Sequence, residues 1–191
     1  MNDNPKPKDR VVNSTDKHKL KKGYVHLYFG TGKGKTTAAI GLAIRAAGCG
    51  LKVFLGQFIK GMRYSEIKCL ERLRENITIK QYGRGCFIRN KPKEEDIEAA
   101  QKGLSEIKSI LASGKYDLVI LDEITIAQYF GLITNDDIIG LIEIKPEHVE
   151  LVLTGRKASP KIIERADLVT QMKEVKHYYT SGVTARKGIE K

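Results

Sequence analysis

A short glycine-rich segment carries the residues with the clearest chemical potential. It comprises Gly30, Thr31, Gly32, Lys33, Gly34, Lys35 and Thr36. It follows an apolar run over residues 24–29 and precedes a helical pattern over residues 37–47. A turn of this kind presents backbone N–H groups to an anion, and the helix N-terminus adds partial positive charge. The sequence therefore predicts that a nucleoside triphosphate binds here, with Lys35 on the phosphates and the Thr36 hydroxyl on Mg²⁺.

The loop departs from the usual spacing of such motifs. A glycine normally stands five residues before the glycine of Gly-Lys, but here that position is Phe29 and the first glycine is Gly30. The loop is thus one residue short at its start, and we expect it to hold a triphosphate differently from an ordinary ATPase. The alternative interpretation is a glycine turn with a solvated lysine.

Two acids at the end of another apolar run are candidates for the metal. The run covers residues 118–121 and ends in Asp122 and Glu123. Proteins with this kind of phosphate loop use a carboxylate of a second element to help hold Mg²⁺. An acid at the end of a buried strand is costly unless a cation or donors compensate it. We predict that these acids help to hold the metal, with Glu123 as the closer ligand and Asp122 supporting the ligands without direct contact. The alternative is that one of them caps the next helix.

Two more strand ends place polar side chains near the same edge. Arg156 could bind phosphate bidentately, or it could pair with an acid on a neighbouring helix, and both interpretations stay open. Residues 57–61, Gln-Phe-Ile-Lys-Gly, follow another strand-like run. The four histidines show no metal-ligand spacing, and no nucleophile–base arrangement is recognisable. These features favour positioning and electrostatic stabilisation over covalent catalysis.

Only a sheet with its strand ends at one edge would bring these residues together, and the sequence predicts such a sheet. From Tyr24 onward, strand-like runs alternate with helical patterns, which is typical of an α/β fold with helices on both faces of a mostly parallel sheet. The predicted strands are residues 24–29, 52–58, 77–82, 117–122, 149–154 and 167–172. The predicted helices are residues 37–47, 93–111, one capped by Thr134 and one opened by Ser159-Pro160.

Length and composition fit a single globular domain. The chain has 191 residues, of which 41% are hydrophobic and 30% are charged, as is usual for such domains. No apolar run approaches the roughly 18 residues of a membrane span, and the N-terminus lacks the apolar stretch of a signal peptide. Cys49, Cys69 and Cys86 are odd in number and show no C-x-x-C spacing. We therefore expect a protein of the reducing cytoplasm with no membrane partner.

The excess of positive charge is partly concentrated at the N-terminus. The formal net charge is +11, which raises nucleic acid as a partner. Residues 1–22 are polar and rich in lysine, and we predict that they form a basic arm that is disordered on its own. Residues 23–191 would then form the domain with the phosphate loop. Aromatic residues do not alternate with basic ones as in single-strand binders, so we do not expect nucleic acid to be the main partner.

Five segments of the chain, taken together, resemble the P-loop ATP:corrinoid adenosyltransferases. They are residues 30–39, with the shortened loop that this family shares, and residues 57–61, 121–125, 154–156 and 175–190. The similarity runs in the same order from Gly23 to Glu190. Joint occurrence of these motifs is far more specific than any one of them.

The resemblance implies a single-domain, RecA-like P-loop fold that forms a homodimer. It implies transfer of the 5′-deoxyadenosyl group of ATP to the cobalt of reduced cob(I)alamin or a related corrinoid such as cob(I)yrinic acid a,c-diamide, with release of triphosphate. This reaction serves adenosylcobalamin biosynthesis or salvage, and an electron-donating flavoprotein reductase is the expected partner. In this family the basic N-terminal segment can cover the corrinoid.

The resemblance also assigns residues by their positions. Lys35, Thr36 and Glu123 would be catalytic, and Thr36 and Glu123, with Asp122, would hold Mg²⁺. ATP would bind to Gly30, Thr31, Gly32, Lys33, Gly34, Lys35, Thr36 and Thr37. Because Co(I) is itself a strong nucleophile, no general base is needed. The protein has to stabilise the triphosphate leaving group instead, through Mg²⁺, Lys35, loop amides and, as a further candidate, Lys33.

One departure from the family concerns the contact with the corrinoid. The family's loop after the third strand often carries aromatic residues, including tryptophan, that pack against the corrin face. This chain has no tryptophan, and offers Phe87 and Ile88 with Tyr82 nearby.

Two alternative functions follow from the same residues. The first is a P-loop ATPase or kinase, which would release phosphate or ADP instead of triphosphate. The second is a RecA-like nucleic-acid-dependent ATPase, which would bind DNA with a strong dependence on salt.

Overall fold

The computed structural model describes residues 20–62, 64–84 and 91–190. Most of the predicted N-terminal arm, residues 1–19, lies outside these ranges, as do Cys86, Phe87 and Ile88. Within the described residues, no helix is both long and apolar enough to cross a membrane.

Six strands of the described chain form one sheet in which each pair is parallel. The strands are β1 Val25–Phe29, β2 Val53–Gln57, β3 Ile77–Gln81, β4 Leu118–Asp122, β5 Glu150–Gly155 and β6 Leu168–Gln171. Their order across the sheet is β3-β2-β4-β5-β1-β6. Each predicted strand is confirmed, and the sheet is fully parallel where the sequence predicted a mostly parallel one. Strands β2 and β4 are buried along their whole length, which explains why both are continuous apolar runs instead of alternating ones.

Six α-helices in the described ranges cover the two faces of the sheet. They are α1 Lys35–Gly48, α2 Ser65–Leu70, α3 Glu94–Ala112, α4 Ile124–Tyr129, α5 Asn135–Ile144 and α6 Pro160–Arg165. One apolar cluster joins the sheet to α1 and α2, and a second joins the opposite face to the remaining helices. The prediction of an α/β fold with helices on both faces is therefore confirmed.

Local sequence explains where the predicted helices begin. The Thr134 hydroxyl accepts a hydrogen bond from the Asp137 N–H at 3.1 Å, and the Asp137 carboxylate accepts one from the Thr134 N–H at 2.9 Å, so α5 opens with the predicted capping box. Helix α6 opens with Ser159 as N-cap and Pro160 at the first helical position. Helices α2 and α4 were not predicted: each has six residues, and their N-cap residues make no side-chain cap bond.

Candidate active site

The candidate residues meet at the carboxyl edge of the sheet. Strands β2, β4, β5 and β1 are consecutive neighbours, so the segments that leave them lie side by side. These segments carry Lys60 after β2, Asp122 and Glu123 at β4, Arg156 after β5 and the phosphate loop, residues 30–36, after β1. The carboxyl edge of a parallel sheet is the usual place for a ligand.

Glycines let the phosphate loop pack closely against neighbouring backbone. Gly30 has φ 116°, and a Cβ placed on it would lie 2.4 Å from the Met172 carbonyl oxygen. The Gly30 N–H donates to the Arg156 carbonyl at 3.2 Å, and the Gly32 N–H donates to the Met172 carbonyl at 2.7 Å. Gly34, also at φ 116°, stands at the N-cap position of α1. Two of the predicted phosphate-binding residues, Gly30 and Gly32, thus use their amides to shape the loop.

Lys35 is the first residue of α1 and lines the cavity beside the loop. Its ammonium donates to the Gly32 carbonyl at 2.7 Å. Burial lowers the pKa of Lys35, and the nearby charges of Arg156 and Lys60 lower it as well, against the opposing charges of Glu123 and Asp122. Because burial disfavours its charge, an anionic ligand would stabilise this ammonium.

Asp122 is fully buried and is surrounded by donors. One carboxylate oxygen accepts hydrogen bonds from the Thr36 hydroxyl at 3.0 Å and from the Thr154 hydroxyl at 2.7 Å. The other accepts from the Lys60 ammonium at 2.7 Å and from the Gln57 amide at 3.3 Å. Four donors therefore compensate the buried charge of Asp122, as the sequence predicted for an acid at a buried strand end. Its bond with Thr36 also links the end of β4 directly to the phosphate loop.

Glu123 differs from Asp122 because it faces the cavity. Burial raises the pKa of Glu123 and the charge of Asp122 raises it further, although Lys60, Lys35 and Arg156 act in the opposite direction. It occupies the N-cap position of α4, yet its side chain makes no cap bond. Because burial and the charge of Asp122 disfavour the ionised form, a bound cation would stabilise the Glu123 carboxylate.

The residues around Glu123 fit Mg²⁺. A threonine hydroxyl and two carboxylates are hard oxygen donors, which is the chemistry that Mg²⁺ prefers. The described residues contain no cluster of three or more His, Cys, Asp or Glu side chains that could hold a metal. Mg²⁺ would therefore need oxygens from phosphates and water in addition, as is usual for this ion in nucleotide sites.

Arg156 also lines the cavity. Among the described residues, no hydrogen bond or ion pair joins its side chain to an acid of a neighbouring helix. Of the two interpretations left open by the sequence, the described residues do not show the pairing with an acid, and phosphate binding stays a prediction.

The cavity itself has a volume of about 620 Å³ and walls of different character. The phosphate loop, Lys60, Glu123 and Arg156 form a polar wall, whereas Ile59, Ile126 and Phe130 supply apolar surface. Sequence reasoning did not single out Lys60 as a site residue.

The C-terminal tail, residues 173–190, contributes a third part of the cavity that sequence reasoning had not located. Its residues Glu174, His177 and Tyr179 line the opening. The Lys33 ammonium donates to the Ile189 carbonyl at 2.9 Å, so this candidate phosphate ligand contacts the tail in this structure. The tail lies within motif segment 175–190, but the sequence gives no signal of its path across the loop.

Comparison with known proteins agrees with this geometry. Residues 21–190 match the family described as ATP:corrinoid adenosyltransferase BtuR/CobO/CobP. The chain is 36% identical over 170 residues to the corrinoid adenosyltransferase of Pseudomonas aeruginosa, covering 88% of this chain and 84% of the relative. It is 33% identical over 186 residues to the corrinoid adenosyltransferase CobA of Salmonella typhimurium, covering 97% and 94%. It is 32% identical over 182 residues to the corrinoid adenosyltransferase of Escherichia coli strain K12, covering 95% and 90%.

Proposed function

The chain belongs to the ATP:corrinoid adenosyltransferase family, and we propose that the cavity at the carboxyl edge of the sheet is where it transfers the adenosyl group. The protein is a transferase whose substrates are ATP and a corrinoid. Membership of this family does not favour the alternatives of a P-loop ATPase or kinase or of a nucleic-acid-dependent ATPase.

The observation that carries the proposed site is the convergence of four lysine and arginine side chains on one cavity. Its lining includes Lys33 and Lys35 of the phosphate loop, Lys60 and Arg156. A triphosphate that leaves C5′ gains negative charge as the bond breaks, and fixed cations and amides in a water-poor cavity stabilise such charge without reorganising. We assign the triphosphate to residues 30–37, with Lys35 as the principal side-chain donor.

We further propose that Thr36 and Glu123 hold Mg²⁺. Asp122 would orient the Thr36 hydroxyl by accepting its hydrogen bond. When bound, this ion would neutralise charge on the phosphate oxygens as a Lewis acid. The hydrogen bond from Thr36 to Asp122 supports this assignment because it fixes the direction of the hydroxyl. Asp122 already has four donors, whereas Glu123 faces the cavity, so Glu123 is the better placed of the two acids.

The transfer itself needs no proton acceptor from the protein. The electron pair of Co(I) forms the bond to C5′, the C5′–O bond breaks, and its electron pair leaves with the triphosphate. The residues of this chain bind and orient the nucleotide and stabilise the leaving group. The apolar surface of Ile59, Ile126 and Phe130 keeps water away from a reactive metal centre.

Several wider expectations stay part of this proposal. An electron-donating flavoprotein reductase would reduce the corrinoid to Co(I). The free cysteines Cys49 and Cys69 are in keeping with the cytoplasm.

A homodimer would cover the edge strand β6, where Leu168 is 42% exposed. Residues 1–22 would act as the arm that covers the corrinoid over the domain of residues 23–191.

An anaerobic transfer assay tests the proposed function. The protein is mixed with chemically reduced cob(I)alamin, ATP and Mg²⁺, and the visible spectrum is recorded before and after illumination. We expect a photolabile alkylcobalamin to form. If cobalamin gives no reaction, the same test is made with a precursor corrinoid. Failure with both corrinoids, with ATP converted to ADP, would support the ATPase alternative instead.

A further inference from the structure

The ammonium of Lys60 lies between two groups that are proposed to serve the metal. Its Nζ is 3.1 Å from the Thr36 hydroxyl oxygen and 2.7 Å from a carboxylate oxygen of Asp122. The Lys60 side chain is 18% exposed and that of Asp122 is fully buried. The Lys60 ammonium therefore lies against both the hydroxyl and the acid.

The backbone on both sides of this ion pair is strained. Ile59, with φ 62°, and Glu123, with φ 60°, are the non-glycine residues with positive φ in the described part of the chain. A β-branched residue such as isoleucine is a genuine outlier in this region. Each of the two adjoins one member of the pair, Lys60 or Asp122. Strained backbone conformations persist only where the surrounding structure maintains them, and they cluster at functional sites. The positive φ values of Ile59 and Glu123 therefore indicate a functional role for this ion pair.

The neighbourhood of Ile59 shows how this conformation is maintained. A Cβ on Gly83 would lie 2.5 Å from the Ile59 carbonyl carbon, so the absence of a side chain at Gly83 lets the two backbones touch. The Lys60 N–H donates to the Phe58 carbonyl at 2.6 Å, and the Phe58 N–H donates to the Asp122 carbonyl at 2.9 Å. The turn after β2 is thus tied to β4 at the residue that Lys60 neutralises.

The hydrogen bonds of Thr36 indicate that the Lys60 ammonium and a metal ion compete for its hydroxyl oxygen. The Thr36 hydroxyl donates its proton to Asp122 and accepts a hydrogen bond from Lys60, so a metal ion at this oxygen would have to share it with an ammonium. Two cations a few ångströms apart repel each other strongly at the effective dielectric of a protein. Lys60 also lines the cavity beside the phosphate loop, so a displaced ammonium would find phosphate oxygens to pair with.

We propose that Lys60 is a positioning residue that neutralises Asp122 in the ligand-free enzyme, and that the arriving metal–nucleotide complex displaces it towards the triphosphate. This inference rests on the proposed function, because it takes Thr36 and the adjacent carboxylates as the metal site. Lys60 thereby disfavours binding of a metal ion alone and favours binding of the metal together with nucleotide.

The test compares thermal unfolding of the parent and of Lys60→Met in EDTA and in MgCl₂, without nucleotide. Methionine keeps much of the side-chain length but removes the charge, and Lys60→Arg is the matched control that retains it. We expect Lys60→Met to have a lower Tm in EDTA, and to be stabilised by Mg²⁺ alone with a half-saturating concentration at least about tenfold below that of the parent. Lys60→Arg should behave like the parent. Equal Mg²⁺ dependence in the parent and in Lys60→Met would overturn the proposal.

A second variant covers the case in which Lys60→Met does not fold. Lys60→Gln removes the charge but leaves an amide that can donate to Asp122, and it should also bind Mg²⁺ more tightly than the parent. The same Mg²⁺ dependence in Lys60→Gln and in the parent would again overturn the role of Lys60.

Nucleotide separates this inference from the proposed function. If ATP with Mg²⁺ stabilises the parent no more than ATP with EDTA does, the proposed metal site is wrong. If ATP with Mg²⁺ is clearly better while the neutral Lys60 variants respond to Mg²⁺ like the parent, only the role of Lys60 is overturned.

Discussion

Replacing Lys35 with alanine should abolish most of the transfer rate while leaving the fold almost unchanged. The Lys35 ammonium contacts the Gly32 carbonyl, and the residue lines the cavity. Loss of one strong electrostatic donor to developing negative charge lowers enzyme rates by a factor on the order of 100 to 1,000, about 2.7–4 kcal/mol. We expect kcat/KM for ATP to fall by a factor of about 100 or more.

The expected effect of Lys35→Ala on stability is small for a reason that the structure gives. The substitution loses the hydrogen bond to the Gly32 carbonyl and the attraction to Glu123, but it also removes a cation whose pKa burial lowers. These contributions oppose each other, so we expect the free energy of unfolding to change by no more than about 1 kcal/mol, or about 2–4 °C in Tm for a chain of this size.

The assay is anaerobic alkylation of cob(I)alamin under saturating and limiting ATP, with calorimetry on the same samples. Lys33→Ala is the matched control, because the Lys33 ammonium is bound to the Ile189 carbonyl of the tail and its side chain is 45% exposed. We expect a loss of less than about tenfold for this control, since it removes no buried donor of the kind that dominates leaving-group stabilisation. Near-normal turnover in Lys35→Ala would refute the assignment of Lys35 to the triphosphate.

Three further predictions concern the acid, the end of β5 and the tail. Glu123→Gln should weaken Mg²⁺ binding in the presence of ATP by about 10–100-fold. Burial raises the pKa of Glu123 and so disfavours its carboxylate in the metal-free fold. Calorimetry should therefore find this variant no less stable than the parent without metal. Gly155→Ala should cost about 1–3 kcal/mol, because its Cβ would lie 2.0 Å from the Thr125 hydroxyl oxygen, and Thr125→Ala in the same chain should restore part of the lost Tm. Hydrogen bonds from Arg186 and Tyr178 lower the pKa of Glu190 to about 2, so these contacts within the tail are complete above the ordinary glutamate pKa and are lost as the pH falls towards about 2. An NMR titration should find this pKa, and Arg186→Ala should return it towards the ordinary one.

Much of the fold could be predicted from the sequence because its signals are local. Strands such as β4 and β5 contain continuous apolar runs, and α5 and α6 carry cap residues whose side chains bond where expected. Helices α2 and α4 escaped prediction because they are only six residues long and begin without a capping side chain. Packing holds them: α2 buries Ile67 and Leu70, and α4 buries Ile124 and Ala127.

The site could be predicted only in part, for a similar reason. The phosphate loop and the two acids are marked by spacing and by their place after apolar runs. The ion pair of Lys60 with Asp122 directly follows the left-handed backbone of Ile59, and an isoleucine gives no hint of that conformation. The contact between Lys33 and Ile189 joins residues 156 positions apart, which no local pattern encodes.

The most direct measurement is the identity of the phosphorus product during alkylation of cob(I)alamin. Phosphorus NMR of the anaerobic reaction should find one triphosphate for each alkylcobalamin formed, with no matching increase in ADP or phosphate. ADP and phosphate accumulating without an alkylcobalamin, for cobalamin and for a precursor corrinoid alike, would contradict the proposal that this cavity stabilises triphosphate as the leaving group.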